Sequence, residues 1–191
     1  MYNLEEGILL VKIAREAIKT QFSREEINRS DKFSEKRGVF VTLKNNGKLR
    51  GCIGYTEPVF ELRDAIVRAA KAAAFQDPRF PPLQEQEVED ITVEVSILTL
   101  PELISGSKDK YVEKIEIGKH GLIIRKGYFS GLLLPQVFLE YDATSLQALE
   151  MTCQKAGLDK NAWREKDAKI YTFSAQIFKE EKPNGEVVEE N

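Results

Sequence analysis

The 191-residue chain is predicted to fold as an α+β protein with antiparallel strand pairing. Some segments repeat apolar residues at spacings of three and four, as amphipathic helices do, whereas others alternate apolar with polar residues, as half-buried strands do. An Asn-Gly pair between two apolar runs indicates a tight hairpin. A hydrophobic content of 42% with 31% charged residues is typical of a soluble globular protein.

The first predicted element is a helix over residues 3–22. Spacings of three and four predict that one stripe of this helix is buried. The predicted stripe consists of Leu4, Ile8, Val11, Ala14/Arg15, Ile18 and Phe22. A polar stretch over residues 23–37 follows and carries only weak signals for structure.

The clearest predicted hairpin joins residues 39–43 to residues 49–55 through Asn46 and Gly47, a pair that favours a type I′ turn. This turn would pair Val41 with Cys52 and Leu43 with Arg50. Because cross-strand partners share a face, Arg50 and Cys52 are expected to project together. A slip of one residue would change these partners.

The later elements follow the same two patterns. A helix is predicted from about residue 57 to residue 75, where a proline-rich run ends it. Further segments are assigned as strands at residues 91–97, 115–117, 122–124 and 169–178, a hairpin punctuated by Gly127 and Gly131, and a helix from Thr144 or Ser145 to Gly157. Residues 181–191 are expected to be a flexible acidic tail.

Charge and cysteine content restrict the classes of function. The tail from Lys179 to Asn191 carries five glutamates and two lysines, which accounts for the net charge of −3. Since no basic excess remains elsewhere, general nucleic-acid binding is not expected. Two distant cysteines do not form a disulfide framework, which favours free thiols in a reducing cytoplasm. No signal peptide or membrane-spanning run is recognised.

Cys52 is the first candidate for chemistry. It lies between Gly51 and Gly54, and glycines weaken a strand unless something approaches its backbone closely. A nearby Arg50 guanidinium would lower the pKa of the thiol. The alternative is a buried cysteine that packs as a small hydrophobe, and this alternative is stronger for Cys153 on the late helix.

Other polar residues are candidates as well. His120, the single histidine, lies in a turn between glycines and either faces a cleft or lies in solvent. Glu94 faces the polar side of its strand, as a buried acid, as the partner of an arginine or as a solvated residue. Asp77 and Arg79 lie in a proline-stiffened loop, where they contact a ligand or brace each other. One histidine and two distant cysteines make a zinc site improbable on spacing.

Ordered blocks along nearly the whole chain resemble the AMMECR family, named for the chromosomal region linked to Alport syndrome, midface hypoplasia and elliptocytosis. The marker hexapeptide stands here as Leu49-Arg50-Gly51-Cys52-Ile53-Gly54. Further matching blocks are residues 38–42, 73–75, 77–83, 94–98, 118–122, 131–137, 155–158 and Trp163. The family's Trp-Asp pair and later Phe-Leu pair are replaced here by Tyr141-Asp142 and Ser145-Leu146.

The resemblance implies a single two-lobed domain over residues 1–180, in which an antiparallel sheet is flanked by helices and the larger lobe is built from both chain ends. It also implies that the hexapeptide lies near a cleft, and that Memo-like and radical-SAM proteins are partners. It names no reaction, cofactor or oligomeric state. It favours Cys52 and Arg50 as site residues, and adds Gly51, Gly54, Arg79, Glu94, His120 and Gln136.

Two hypotheses follow. In the first, the protein is an enzyme or enzyme component that binds a small anionic molecule in the cleft. Cys52 is then the reactive thiol, Arg50 and Arg79 hold the anion, and Glu94 or His120 moves a proton. In the second, the protein is a non-catalytic module that docks a partner enzyme or an RNA-associated assembly. A third, weaker idea is a direct nucleic-acid regulator.

Overall fold

A computed structural model describes residues 1–23 and 32–190. It confirms the α+β class, with two antiparallel sheets flanked by helices. The chain divides into two compact units, the first formed by residues 1–98 and 176–191 and the second by residues 99–175. In the described residues, no helix combines the length and apolar character needed to cross a membrane.

The helices are α1 (Leu4–Lys19), α2 (Leu62–Phe75), α3 (Pro135–Glu140) and α4 (Ser145–Lys155). The strands are β1 (Val39–Asn45), β2 (Lys48–Tyr55), β3 (Ile91–Leu98), β4 (Glu102–Leu103), β5 (Gly121–Lys126), β6 (Phe129–Leu133), β7 (Lys169–Phe173), β8 (Ala175–Glu180) and β9 (Val187–Glu190). The first sheet has the order β2-β1-β3-β8-β9, and the second has the order β4-β7-β5-β6.

Helix α1 buries the middle of the predicted stripe and leaves both ends of that stripe exposed. Asn3 caps the helix in a reciprocal capping box with Glu6. The predicted members Val11, Ala14, Arg15 and Ile18 are buried, whereas Leu4, Ile8 and Phe22 are exposed. The buried face also includes Gly7, where the Phe178 ring packs so closely that a Cβ atom would lie 2.1 Å from it.

A buried ion pair joins α1 to the central strands. Arg15 donates to both carboxylate oxygens of Glu180, with Nε to Oε1 at 2.7 Å, and also to the carbonyl oxygens of Val88 and Ile91. The same carboxylate accepts the backbone N–H of Val93 at 3.0 Å. Both side chains are more than nine-tenths buried, so each charge depends on the other for stabilisation.

The β1–β2 hairpin has the predicted turn and a different register. Asn46 and Gly47 have φ angles of 49° and 75°, which fit a type I′ turn. Beyond the turn a β-bulge shifts the register between Leu43 and Lys44, so that Cys52 pairs with Thr42. The predicted pairing of Cys52 with Val41 was wrong, because Arg50 is the extra residue of the bulge.

Other boundaries also differ from the prediction. Helix α2 begins at Leu62 rather than near residue 57, and residues 115–117 form no strand. The predicted strand over residues 169–178 is two strands, β7 and β8, which belong to different sheets. The expected flexible tail instead forms β9, because Val187 packs into the core and a turn at Gly185 brings the strand back against β8.

The second unit has its own core. Buried residues from α4, β5 and the loop around Trp163 form one cluster, which contains Cys153 with no exposed surface. Gly131 lets β6 approach the helix end, where a Cβ atom would lie 2.6 Å from the backbone nitrogen of Ala156. Cys153 is therefore a packing residue, as its place on the apolar stripe indicated.

Candidate functional site

The side chain of Cys52 lies on the polar face of the first sheet. Val41 and Leu43 of β1 point to the opposite face and are completely buried in the core, whereas Thr42 between them pairs with Cys52 on one side and with Glu94 on the other. Thr42 Oγ1 donates a hydrogen bond to Cys52 Sγ at 3.2 Å. The Cys52 thiol, the Thr42 hydroxyl and the Glu94 carboxylate therefore form a row across three strands.

Glu94 is held at the end of this row by an ion pair. Lys44 Nζ lies 2.8 Å from Glu94 Oε2, and the Glu94 side chain is only 12% exposed. The expectation that Glu94 could be a buried acid therefore fits its position, although a lysine rather than an arginine is its partner. The Lys44 ammonium balances the carboxylate charge on this face.

Asp77 and Arg79 bind the backbone of Cys52 from the open edge of β2. The Cys52 N–H donates to Asp77 Oδ2 at 2.8 Å, and Arg79 Nη2 donates to the Cys52 carbonyl at 3.2 Å. Arg79 also donates its Nε and Nη2 groups to the Asp77 carboxylate, at 3.0 and 2.7 Å. We call these three residues, joined by side-chain and backbone bonds, the Cys52 clamp.

Asp77 is the buried member of the Cys52 clamp. Its side chain is 2% exposed, whereas that of Arg79 is 53% exposed. The hydrogen bond from Arg79 holds the pKa of Asp77 well below its usual range, against the opposing effect of burial. This lowered pKa adds stability above the pKa of an unfolded aspartate, and that stability is lost as the pH falls through the folded value.

Burial raises the pKa of the Cys52 thiol above its ordinary value. The hydrogen bond from Thr42 and the positive charge of Arg79 lower it in part, while the charges of Glu94 and Asp77 raise it further. The thiol is therefore mainly protonated at neutral pH. The cation that acts on this thiol is Arg79 rather than the expected Arg50.

Arg50 has a different partner. Its Nε and Nη2 groups donate to the two carboxylate oxygens of Glu87, at 2.8 and 3.0 Å. The Arg50 side chain is largely buried in this bidentate pair. Arg50 is the extra residue of the bulge and bonds to Glu87, whereas the Cys52 thiol bonds to Thr42. The expected shared face of Arg50 and Cys52 stays a prediction.

The glycines of the hexapeptide make close backbone packing possible. A Cβ atom at Gly51 would lie 2.1 Å from the carbonyl oxygen of Ala73 in α2. One at Gly54 would lie 2.3 Å from the Val39 carbonyl oxygen and 2.5 Å from the Phe40 ring. Packing against α2 and β1 is sufficient to explain both glycines. Their predicted contact with a ligand stays a prediction.

His120 and Gln136 belong to the second unit, whereas the cluster around Cys52 consists of first-unit residues. His120 Nδ1 accepts the backbone N–H of Glu116 at 3.1 Å, which assigns the proton of a neutral ring to Nε2. Gln136 Oε1 is buried without a hydrogen-bond partner in the described part of the chain. The roles predicted for both residues stay predictions.

The described residues contain no group of three His, Cys, Asp or Glu side chains arranged to hold a metal ion. One cavity of about 350 Å³ opens in the first unit beside the end of α1. Its lining is Lys19, Phe22, Ser23, Glu85, Val88 and Glu89. This lining contains none of the candidate site residues that the sequence predicted.

Comparison with known proteins identifies the family. A family model described as AMMECR1 matches residues 11–178. The chain belongs to the AMMECR1 family. The matched region contains Cys52, Asp77, Arg79 and Glu94, and it confirms the resemblance first drawn from the hexapeptide.

Relatives of the AMMECR1 family match nearly the whole chain. Protein Mbar_A1807 of Methanosarcina barkeri is 50% identical over 194 residues, covering 97% of this chain and 96% of the relative. Protein TK0174 of Thermococcus kodakarensis is 43% identical, covering 98% and 97%. The crystal structure of uncharacterized protein PH0010 from Pyrococcus horikoshii is 42% identical and covers 98% of both chains, with a TM-score of 0.86.

Proposed function

We propose that this AMMECR1-family protein is an enzyme or enzyme component that binds a small anionic molecule beside Cys52, with Cys52 as the reactive thiol. The observation that carries the proposal is the position of Arg79. Its guanidinium is half exposed, yet it is fixed by a buried carboxylate and bonded to the backbone of the thiol-bearing residue.

A fixed guanidinium favours anion binding. Arg79 uses Nε and Nη2 within the Cys52 clamp, and its Nη1 group makes no hydrogen bond to any described residue. Arginine N–H groups bind carboxylate and phosphate oxygens in charge-assisted hydrogen bonds. Because the side chain is already held in place, a ligand loses less conformational entropy on binding than it would against a mobile arginine.

The other roles follow from the same face. Arg50 is committed to Glu87, so the anion-holding role that the sequence gave to both arginines passes to Arg79. Glu94 lies on β3, two strands from Cys52 with β1 between them, and would accept the thiol proton through a bridging water. A thiolate formed in this way is the nucleophile. His120 remains a second candidate for moving a proton, and Gln136 a candidate wall residue.

The cellular setting remains part of the proposal. The free thiols of Cys52 and Cys153 suit a reducing cytoplasm. Memo-like and radical-SAM proteins are the proposed partner classes, and nucleic acid is not proposed because the chain has no basic excess.

A non-catalytic docking module is the second candidate. Two observations favour it, since packing is sufficient to explain Gly51 and Gly54, and burial keeps the thiol protonated. A Cys52→Ser variant separates the two candidates. A docking module retains partner binding and function with serine, whereas an enzyme component retains assembly and loses turnover.

Anion binding is tested by thermal unfolding at constant ionic strength, with inorganic phosphate, pyrophosphate and malonate as probes. We expect at least one probe to raise the unfolding temperature saturably, since a ligand at one hundred times its Kd stabilises by about 2.7 kcal/mol. Arg79→Gln is expected to abolish the rise. Arg164→Gln, which also removes a half-exposed arginine paired with an aspartate, is expected to retain it.

Two outcomes would contradict anion binding by Arg79. If no probe stabilises the protein, or if Arg79→Gln is stabilised as much as the Arg164→Gln control, Arg79 does not hold an anion.

A further inference from the structure

Cys52 lies on an edge strand whose free side is occupied by side chains. Strand β2 ends the order of the first sheet, so within the described residues the outer side of this strand has no neighbouring strand to bond. At Cys52 the Asp77 carboxylate accepts the backbone N–H and the Arg79 guanidinium donates to the backbone C=O. The two side chains thus make the pair of bonds that a neighbouring strand would make.

We propose that Asp77 is a positioning residue of this site, which holds the Cys52 backbone and the Arg79 guanidinium in one fixed arrangement. The proposal deepens the anion-binding function and rests on it for its biological meaning. Asp77 itself contacts no ligand, since its side chain is almost completely buried behind Arg79.

The bonds of Asp77 leave its carboxylate little freedom. It accepts four hydrogen bonds, two from backbone N–H groups of Cys52 and Arg79 and two from the Arg79 side chain. An ionised carboxylate offers about four lone-pair sites, so these bonds use its capacity. Loss of any one of them would leave part of a buried charge unsatisfied, which favours a single geometry.

The backbone on which Asp77 stands is also fixed. It follows directly on α2, whose end is bonded by the Gln76 and Leu83 N–H groups to carbonyl oxygens of the last helical turn. Pro78, Pro81 and Pro82 restrict the loop that follows. Helix α2 also contacts Gly51, the residue that precedes Cys52 in β2. The same helix therefore supports both the Asp77 side and the Cys52 side of the Cys52 clamp.

Asp77 could act on Cys52 as a nearby negative charge or by positioning Arg79. These two roles predict opposite changes in the pKa of the Cys52 thiol when Asp77 is replaced. The charged groups acting on the thiol are Arg79, Glu94 and Asp77, of which Arg79 has the largest effect and lowers the pKa. If Asp77 acts only as a nearby negative charge, its removal lowers the pKa of Cys52. If Asp77 positions Arg79, its removal also releases the guanidinium, and the pKa of Cys52 rises because the larger effect is lost.

The test is the pH profile of Cys52 alkylation by iodoacetamide, followed on the Cys52 peptide by mass spectrometry in the ligand-free protein. Asp77→Asn and Arg79→Gln are each expected to shift the profile to higher pH and to lower the alkylation rate at pH 8 by several-fold. The double variant is expected to match Asp77→Asn alone, because the positioning role holds that the guanidinium is already released in that variant. Asp90→Asn, at an exposed aspartate nearby in the sequence, is the control and should leave the profile unchanged.

A profile shifted to lower pH in Asp77→Asn, or left unchanged, would overturn the positioning role even if the variant is less stable. If Asp77→Asn does not fold, Asp77→Glu provides the second variant, because its longer side chain keeps the charge and displaces Arg79. The positioning role predicts that the alkylation profile of Asp77→Glu also shifts to higher pH, and an unchanged profile in this variant contradicts it. None of these measurements needs a bound anion, so their failure is distinguishable from failure of the proposed function.

Discussion

Replacing Gly51 with alanine is expected to lower the free energy of unfolding by about 3 kcal/mol or more, a large effect for one methyl group. The added Cβ atom would lie 2.1 Å from the backbone carbonyl oxygen of Ala73. This carbonyl oxygen belongs to the backbone of the last turn of α2 and cannot rotate away as a side chain could. Relief therefore requires β2 and α2 to separate, which opens the core between them.

Urea unfolding followed by circular dichroism measures this effect, with Lys48→Ala as the control on an exposed position of the same strand. The control is expected to change stability by less than about 0.5 kcal/mol. If the alanine variant is as stable as the wild type and instead loses the stabilisation by anions, Gly51 faces a ligand and the packing explanation is wrong.

Glu180→Ala is expected to cost about 3–5 kcal/mol, because it leaves the Arg15 guanidinium buried without its counter-charge. The Val93 N–H loses its acceptor at the same time. The side-chain bonds that join Glu180 of β8 to Arg15 of α1 and to Val93 of β3 are therefore lost together.

The matched comparison is Glu16→Ala, which removes the exposed ion pair between Lys12 and Glu16 on α1, the helix that carries Arg15. An exposed pair contributes about 0–1 kcal/mol, so the two glutamate variants should differ several-fold in their effect on urea unfolding. Equal losses of unfolding free energy in Glu180→Ala and Glu16→Ala would show that burial of the Arg15–Glu180 pair does not determine its contribution to stability.

Periodicity and turn chemistry predicted much of the fold. The Asn46-Gly47 turn, three of the helices and several of the strands could be predicted because each depends on residues near one another in the sequence, whereas the short helix α3 was not predicted. The exact buried face of α1 could not be predicted, because it depends on the ring of Phe178, which lies far along the chain. Strand β9 was missed for a similar reason, since its acidic residues obscured the two valines that pair and pack.

The surroundings of the candidate site residues were predicted in part. Residue type and local setting made Cys52, Arg79 and Glu94 candidates, the family resemblance selected them, and the structure shows which groups hold each of them. The bulge at Arg50 was not predictable, because nothing in the hairpin sequence marks one extra residue. Asp77 was considered as a brace and was not among the chosen site residues, although an aspartate before a proline and an arginine was the available signal.

The central claim is that Cys52 and Arg79 form one anion-binding thiol site. The most direct measurement is the rate of Cys52 alkylation as the concentration of a stabilising anion is raised at constant ionic strength. We predict saturable protection in the wild type and in the Arg164→Gln control, with the same half-saturation as thermal stabilisation, and no protection in Arg79→Gln. Protection that persists in Arg79→Gln, or a rate that is independent of the anion, would contradict the claim.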